Sequence, residues 1–249
     1  LNLPPVELLV SVRNCDEIAA ALSGGCDLLD FKEPENGALG MVSSATLQTI
    51  EAYCENQQIK VPLSMALGEL VEWQERQEIP PIPRAMRYLK LGPSQIQGIA
   101  DWNARWQDVT SRIETARQKR YEWIAVAYAD WEQANSISPA EVLTAAIENH
   151  CAGLLIDTFN KQGTGLLDLL SGRMLGDIID QAHRVELKVA LAGSIRFSDL
   201  ESLAALQPDI IGIRGAACAG NRRTDPIQES AVRRFREQLD RQFVCRHSG

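Results

Sequence analysis

Positive charge is in short supply in this chain. Lys and Arg number 25 against 33 Asp and Glu, a formal net charge of −8. Bulk attraction to nucleic acid or to an anionic membrane face is therefore excluded as an expectation, although a local basic pocket is allowed. Histidine is scarce: the three, at 150, 183 and 247, share no ligand-like spacing. The six cysteines, at 15, 26, 54, 151, 218 and 245, contain no CxxC pair. Neither a zinc site nor a disulfide framework is indicated, and reduced thiols in a cytoplasmic protein are expected. Aromatic residues make up 6% of the chain, and Trp73, Trp102, Trp106, Trp123 and Trp131 are too dispersed for a nucleic-acid stacking platform. No apolar run approaches the length of a membrane span, and none has the layout of a signal peptide. Internal repeats and a long low-complexity linker are missing too.

What the chain has is alternation. Short apolar runs at 7–12, 27–32, 61–66, 87–91, 122–128, 152–157, 187–192 and 209–213 read as strands. Between them lie periods near 3.6, with stripes Val142, Leu143, Ala146, Ile147 and Val232, Phe235, Leu239, Phe243. Ser138-Pro139-Ala140-Glu141 and Ser198-Asp199-Leu200-Glu201 have capping-box spacing. Asp225-Pro226 reads as a cap followed by proline at the first helical position. The segment 69–86 is irregular: a short helix is expected over Glu69 to Gln77, and Pro80-Pro81-Ile82-Pro83 forces an extended loop. Eight strand–helix units in 249 residues predict a single α/β domain over 1–249, a closed (β/α)8 TIM barrel. The alternative, a doubly wound open sheet, is disfavoured because no Gly-rich dinucleotide turn follows the first strand.

Charged residues fall at the ends of the strand-like runs. In Leu28-Leu29-Asp30-Phe31-Lys32, strand alternation puts Leu29 and Phe31 on one face and Asp30 and Lys32 on the other. Lys90 opposes Leu89 and Leu91, Asp157 opposes Leu154 and Ile156, Arg214 shares a face with Gly212, and Val126, Tyr128 and Asp130 line up. In a barrel those ends form the mouth where chemistry is built. A lysine among apolar residues is unfavourable unless it meets a polar pocket. Burial or a second cation then lowers its pKa and frees the amine to attack a carbonyl. One such lysine would be read as a structural ion pair. Charges converging from five strands are read as a site, two lysines with carboxylates for amine and acid–base chemistry.

Gly193-Ser194 after the seventh strand and Arg214-Gly215-Ala216 after the eighth occupy the usual phosphate cradle of this architecture. Arg214 could fork onto a phosphate or form a structural ion pair. His150 reads as a helix-end charge, His183 as solvated, Cys218 as an unreactive thiol, and Arg222-Arg223 and Arg233-Arg234 as solvated surface.

The same residues carry a family likeness. Leu8-Leu9-Val10-Ser11, the run from Gly24 through Asp30 to Lys32, Gly37-Ala38-Leu39-Gly40, Leu89-Lys90-Leu91-Gly92 and Tyr128-Ala129-Asp130 belong to it. So do Leu155-Ile156-Asp157-Thr158, Lys161, Ala190-Leu191-Ala192-Gly193-Ser194-Ile195 and Gly212-Ile213-Arg214-Gly215-Ala216-Ala217-Cys218. In this order the chain resembles the (5-formylfuran-3-yl)methyl phosphate synthases of methanofuran-type cofactor biosynthesis. It departs from their pattern over 68–86 and over Gln162-Gly163-Thr164-Gly165, where the family is expected to have a further lysine.

The resemblance implies condensation of two glyceraldehyde 3-phosphates to the furan phosphate, with loss of phosphate and water. It implies a Schiff base at Lys32, proton transfer by Lys90, supporting carboxylates at Asp30 and Asp157, and a further active-site lysine at Lys161. Ser11, Asp130, Gly193, Ser194, Arg214 and Gly215 are the expected substrate-binding residues. No metal or organic cofactor is required by such chemistry. The expected partner is a phosphotriose, with no nucleic acid and no membrane, and a homo-oligomer is expected. Another class I aldolase acting on phosphosugars, or a non-catalytic barrel binding a phosphate metabolite, would share many of these features. The set Asp30, Lys32, Lys90 and Asp157 argues against the binder, which needs no nucleophile.

Overall fold

The computed structural model describes residues 5–161 and 163–244. Gln162, Cys245 and His247 lie outside the described residues. Eight parallel strands close in chain order: β1 (Glu7–Val12), β2 (Leu28–Phe31), β3 (Leu63–Glu69), β4 (Tyr88–Gly92), β5 (Glu122–Tyr128), β6 (Gly153–Asp157), β7 (Lys188–Leu191) and β8 (Ile210–Ile213), with β8 returning to pair with β1. This is the closed (β/α)8 barrel expected, and each strand falls within a few residues of its predicted run.

Helices α1 (Ile18–Ser23), α2 (Ser44–Asn56), α3 (Trp102–Arg117), α4 (Pro139–Glu148), α5 (Leu166–Leu169), α6 (Gly172–His183), α7 (Leu200–Leu206) and α8 (Glu229–Val244) surround it. The crossover from β3 to β4 has no α-helix. A 3₁₀ turn, Leu70–Trp73, stands in its place. Trp73 is fully buried there and donates its indole N–H to the Leu67 carbonyl at 2.9 Å. The helix expected over Glu69 to Gln77 therefore shrinks to one turn, and a single large aromatic fills the gap.

The strand alternation separates two apolar layers. Leu8, Val10, Leu29, Phe31, Leu89, Leu154, Ile156 and Ile211 pack outward beneath the helices. Ala66, Val126, Tyr128, Leu155, Ala190 and Ala192 fill the bore, covered by Ala38 and Leu39 from the loop after β2. Three of these bore residues are alanines where Tyr128 is large, a size contrast suited to filling a narrow barrel.

Helix starts follow the sequence in one case and not in two. Ser138 forms the capping box with Glu141, its N–H donating to Glu141 Oε2 at 2.9 Å. Ser198 caps nothing. A 3₁₀ turn, Phe197–Asp199, precedes α7, and Asp199 accepts from the Arg196 N–H at 2.8 Å. Asp225-Pro226 does not start a helix either, since α8 begins at Glu229 after Ile227 bridges to Cys218. In the stripe of α4, Val142, Leu143 and Ala146 are buried but Ile147 is 40% exposed. His183 is exposed, as expected, and also pairs with Asp209 at 2.9 Å.

Candidate active site

β2, β4 and β6 deliver four charged side chains to the mouth. Lys90 is buried, with Nζ 2.6 Å from Asp30 Oδ1 and 3.1 Å from Ser64 Oγ on β3. Ser11 on β1 donates its hydroxyl to Asp30 Oδ2 at 3.1 Å. Lys32, one residue past β2, is 8% exposed, and its Nζ stands 3.6 Å from Asp157 Oδ2. That oxygen is buried and has no hydrogen-bond partner among the described residues. The other, Asp157 Oδ1, receives Lys161 Nζ at 2.5 Å and the Thr158 N–H at 2.8 Å. Lys161 also donates to Thr158 Oγ1 at 3.2 Å.

The electrostatics follow from burial. Desolvation pushes the Lys32 amine below the ordinary lysine range, helped by Lys90 and Arg223 and opposed by Asp157 and Asp30. Lys161 is lowered from 10.5 to about 8, again chiefly by burial, with Lys32 and Arg223 adding repulsion against the pull of Asp157. Burial alone would raise the two carboxyls. The lysines outweigh it and hold Asp30 and Asp157 below the usual carboxylate range. The arrangement can thus present a free primary amine beside ionised carboxylates, which is what imine chemistry needs.

Residues 8–236 match the family model described as 4-HFC-P synthase. The (5-formylfuran-3-yl)methyl phosphate synthase of Methanopyrus kandleri is 31% identical over 245 residues, covering 93% of this chain and 98% of that protein. The chain belongs to the 4-HFC-P synthase family. Another protein of the same name, from Methanosarcina mazei, is 30% identical over 227 residues, 90% of this chain and 95% of its own. Solved structures match at the level of fold. KGPDC from Streptococcus mutans in complex with D-R5P has a TM-score of 0.58 at 13% identity, covering 96% of this chain and 99% of its own. The 3-hexulose-6-phosphate synthase of Salmonella typhimurium has a TM-score of 0.56 at 14% identity, covering 95% and 100%.

In this 4-HFC-P synthase family member two of the expected site residues are engaged by the protein itself. Arg214 does not fork onto a phosphate. All five of its N–H donors are taken by protein: Glu17 Oε2 at 2.8 Å and Oε1 at 3.1 Å, and the carbonyls of Ser11, Arg223 and Asp225 at 2.9, 2.5 and 3.2 Å. A buried guanidinium must be fully paired, and Glu17, buried in the turn after β1, completes the pairing. Asp130 likewise serves the backbone. Its oxygens accept from the Phe159 N–H at 2.6 Å and the Asn160 N–H at 2.8 Å, bracing the turn that carries Lys161. Five converging strands therefore reduce to three that bring charge into the lysine–carboxylate cluster.

The cradle after β7 and β8 is built from backbone. Gly193 has φ +103°, and a Cβ there would meet Thr158 Cγ2 at 2.7 Å, so only glycine lets the β7 turn rest against the turn after β6. Ser194 follows with φ +51°. The amides of Gly193, Ser194, Gly215 and Ala216 donate to no acceptor among the described residues. Cys218 is buried and its thiol is pushed up to about 11, as an unreactive cysteine would be. Among the described residues no group of three His, Cys, Asp or Glu could hold a metal ion, and no helix is long and apolar enough to cross a membrane.

Sequence reasoning missed a half-buried carboxyl. Ala66 pairs with Lys90 but Glu69 pairs with Gly92, so three steps along β3 match two along β4. This bulge turns Glu69 into the mouth. Its Oε1 accepts from the Tyr128 hydroxyl at 2.6 Å and its Oε2 from the Ser94 N–H at 2.9 Å. Burial raises both its pKa and that of Tyr128. A Cβ on Gly92 would lie 2.1 Å from Glu69 Oε2 and 2.5 Å from the Tyr128 hydroxyl, so the glycine makes the space. Ser64 was the more legible omission, a lone hydroxyl inside an apolar strand.

Proposed function

We propose that this barrel condenses two glyceraldehyde 3-phosphates to (5-formylfuran-3-yl)methyl phosphate, as a Schiff-base-forming carbon–oxygen lyase. The observation that carries the reading is the Lys32 amine, buried and lowered in pKa, set 3.6 Å from an Asp157 oxygen without a hydrogen bond. The names of the relatives supply the product.

Lys32 attacks the aldehyde of one triose and water leaves, giving an imine. The imine draws electrons from the adjacent carbon, whose proton passes to a base at the mouth. The resulting enamine expels the phosphate from the next carbon, forming a carbon–carbon double bond. Condensation with the second triose, dehydration and ring closure complete the furan. Asp157 Oδ2 is available to take protons beside Lys32, and Lys161 beside it can return them. Lys90 and Asp30 form a second proton-transfer pair, held by Ser11 and Ser64.

Borohydride trapping with glyceraldehyde 3-phosphate, followed by peptide mass analysis, tests the first step. The adduct is expected on Lys32. Released phosphate and furan absorbance test the rest. Retro-aldol cleavage of a larger phosphosugar with no furan formed would overturn the reading in favour of an aldolase.

A further inference from the structure

Arg222 and Arg223 look like a solvated pair in the sequence, but they part company in the fold. Arg222 is turned out, its side chain 78% exposed and paired with Asp225 at 2.9 Å. Arg223 is half-buried. Its Nη2 donates to the Gly37 carbonyl, in the loop after β2, at 3.1 Å. Its remaining donors have no acceptor among the described residues.

The backbone beneath it is clamped. Three consecutive carbonyls are held by arginines: Arg223 O by Arg214 Nε at 2.5 Å, Thr224 O by Arg13 Nη1 at 3.1 Å, and Asp225 O by Arg214 Nη2 at 3.2 Å. The saturated Arg214–Glu17 pair therefore fixes the loop that throws Arg223 across the mouth from the β8 side to the β2 side. There the guanidinium acts electrostatically on Lys32, Lys161 and Asp157.

Charge is not balanced at that point. Lys32, Lys90, Lys161 and Arg223 are four cations, and the carboxylates paired with them are Asp30 and Asp157; Asp130 is taken up by the Phe159 and Asn160 amides and Glu69 by Tyr128 and Ser94. Glu33, the other carboxylate that acts on Arg223, is already engaged by Arg13 at 3.0 and 2.8 Å. With the Lys32 nitrogen charged, as ammonium or as the protonated imine, the surplus of two positive charges among these paired groups matches a phosphate monoester, which carries about −1.5 to −2 at neutral pH. A guanidinium with donors to spare is the side chain best shaped for that group.

We propose that Arg223 grips the phosphate of the triose attached to Lys32 and determines specificity for a phosphorylated over an unphosphorylated aldehyde, with Arg214 as the residue that positions it. The proposal deepens, and rests on, the imine reading of Lys32.

The test compares glyceraldehyde 3-phosphate with glyceraldehyde in borohydride trapping at Lys32, in the unaltered protein, Arg223→Gln and Arg223→Lys. The unaltered protein is expected to be trapped at far lower concentrations of the phosphorylated aldehyde. Arg223→Gln should shrink the preference for glyceraldehyde 3-phosphate over glyceraldehyde, read as the ratio of half-trapping concentrations, by roughly tenfold or more, the loss of a charge-assisted contact; the effect of the lost charge on the Lys32 amine acts on both aldehydes and cancels in that ratio. Arg223→Lys, a point charge without the fork, should recover part of the preference. Arg223→Gln that keeps the full phosphate preference, or weakens both aldehydes equally, overturns the proposal. Calorimetric binding of inorganic phosphate supplies an arm that needs no imine. It should weaken by roughly tenfold in Arg223→Gln, and an unchanged affinity counts against Arg223. Absence of any Lys32 adduct in the unaltered protein would overturn the Schiff-base reading instead, and the calorimetry would still decide Arg223.

Discussion

Two stretches of the barrel rim hold buried ionic groups, and they treat them in opposite ways. On the β8–β1 side, Arg214 and Glu17 form a bidentate pair in which every guanidinium donor has an acceptor. On the β2–β4–β6 side, three lysines share two carboxylates, and one carboxylate oxygen has no hydrogen bond. Both arrangements are buried, so burial by itself does not separate structure from chemistry. Completeness of pairing does. A saturated arginine is an inert brace, whereas an amine short of partners in a desolvated pocket is lowered in pKa and made nucleophilic.

The sharpest way to break the comparison is at Lys32. Lys32→Arg keeps the positive charge but cannot form an imine. Turnover is expected to fall to background with thermal unfolding little changed, read from furan formation and circular dichroism. Full residual activity would place the reactive amine elsewhere.

On the braced side the largest effect should be on folding. Glu17→Leu leaves a buried guanidinium without its carboxylate and should cost about 3–5 kcal/mol in urea unfolding. Adding Arg214→Met removes the unpaired charge and should recover much of that loss, the pattern expected of a brace. A double variant no more stable than the single would mean that the carbonyl clamp on residues 223–225 dominates.

A smaller structural effect is expected at Gly92→Ala. The added methyl runs into Glu69 and Tyr128 and should destabilise by about 1–3 kcal/mol, while disturbing the hydroxyl–carboxyl pair above the bore. An unchanged unfolding midpoint would show that Glu69 moves aside freely.

The most delicate comparison is in pH. In the proposed imine chemistry the Lys32 amine reacts when neutral, so the trapping rate should rise with pH and reach half-maximum below the ordinary lysine value of 10.5. Asp157 favours the charged amine, so Asp157→Asn should move this profile to still lower pH. Lys161, lowered to about 8, should contribute a second inflection near there to the pH dependence of kcat/KM, absent in Lys161→Met. A shift of the Asp157→Asn profile to higher pH would contradict the geometry.

Much of this could be read without coordinates. Several strand ends announced themselves because the apolar run carries or meets a charge there, as at Lys32, Lys90, Asp157 and Arg214, and period-2 alternation then put Asp30, Lys32, Lys90 and Asp157 on the bore side. Asp130 and Arg214 satisfied the same pattern yet serve the backbone and an ion pair, since alternation gives the side of the sheet but not the partner. Glu69 was illegible for the reverse reason. In an unbroken strand it would face outward with Leu67, and only the bulge opposite Lys90 and Gly92 turns it inward.

The order of apolar and charged residues along the chain was enough to determine a barrel, its two apolar layers and the strands that bear amines, because these depend on local periodicity. Which cations are consumed and which are left short was decided only by tertiary structure. Arg214 meets Glu17 from 197 positions away, and Arg223 reaches Gly37 across 186. Pairings of that range depend on closure of the sheet, which brings the last strand beside the first and which no window of sequence contains.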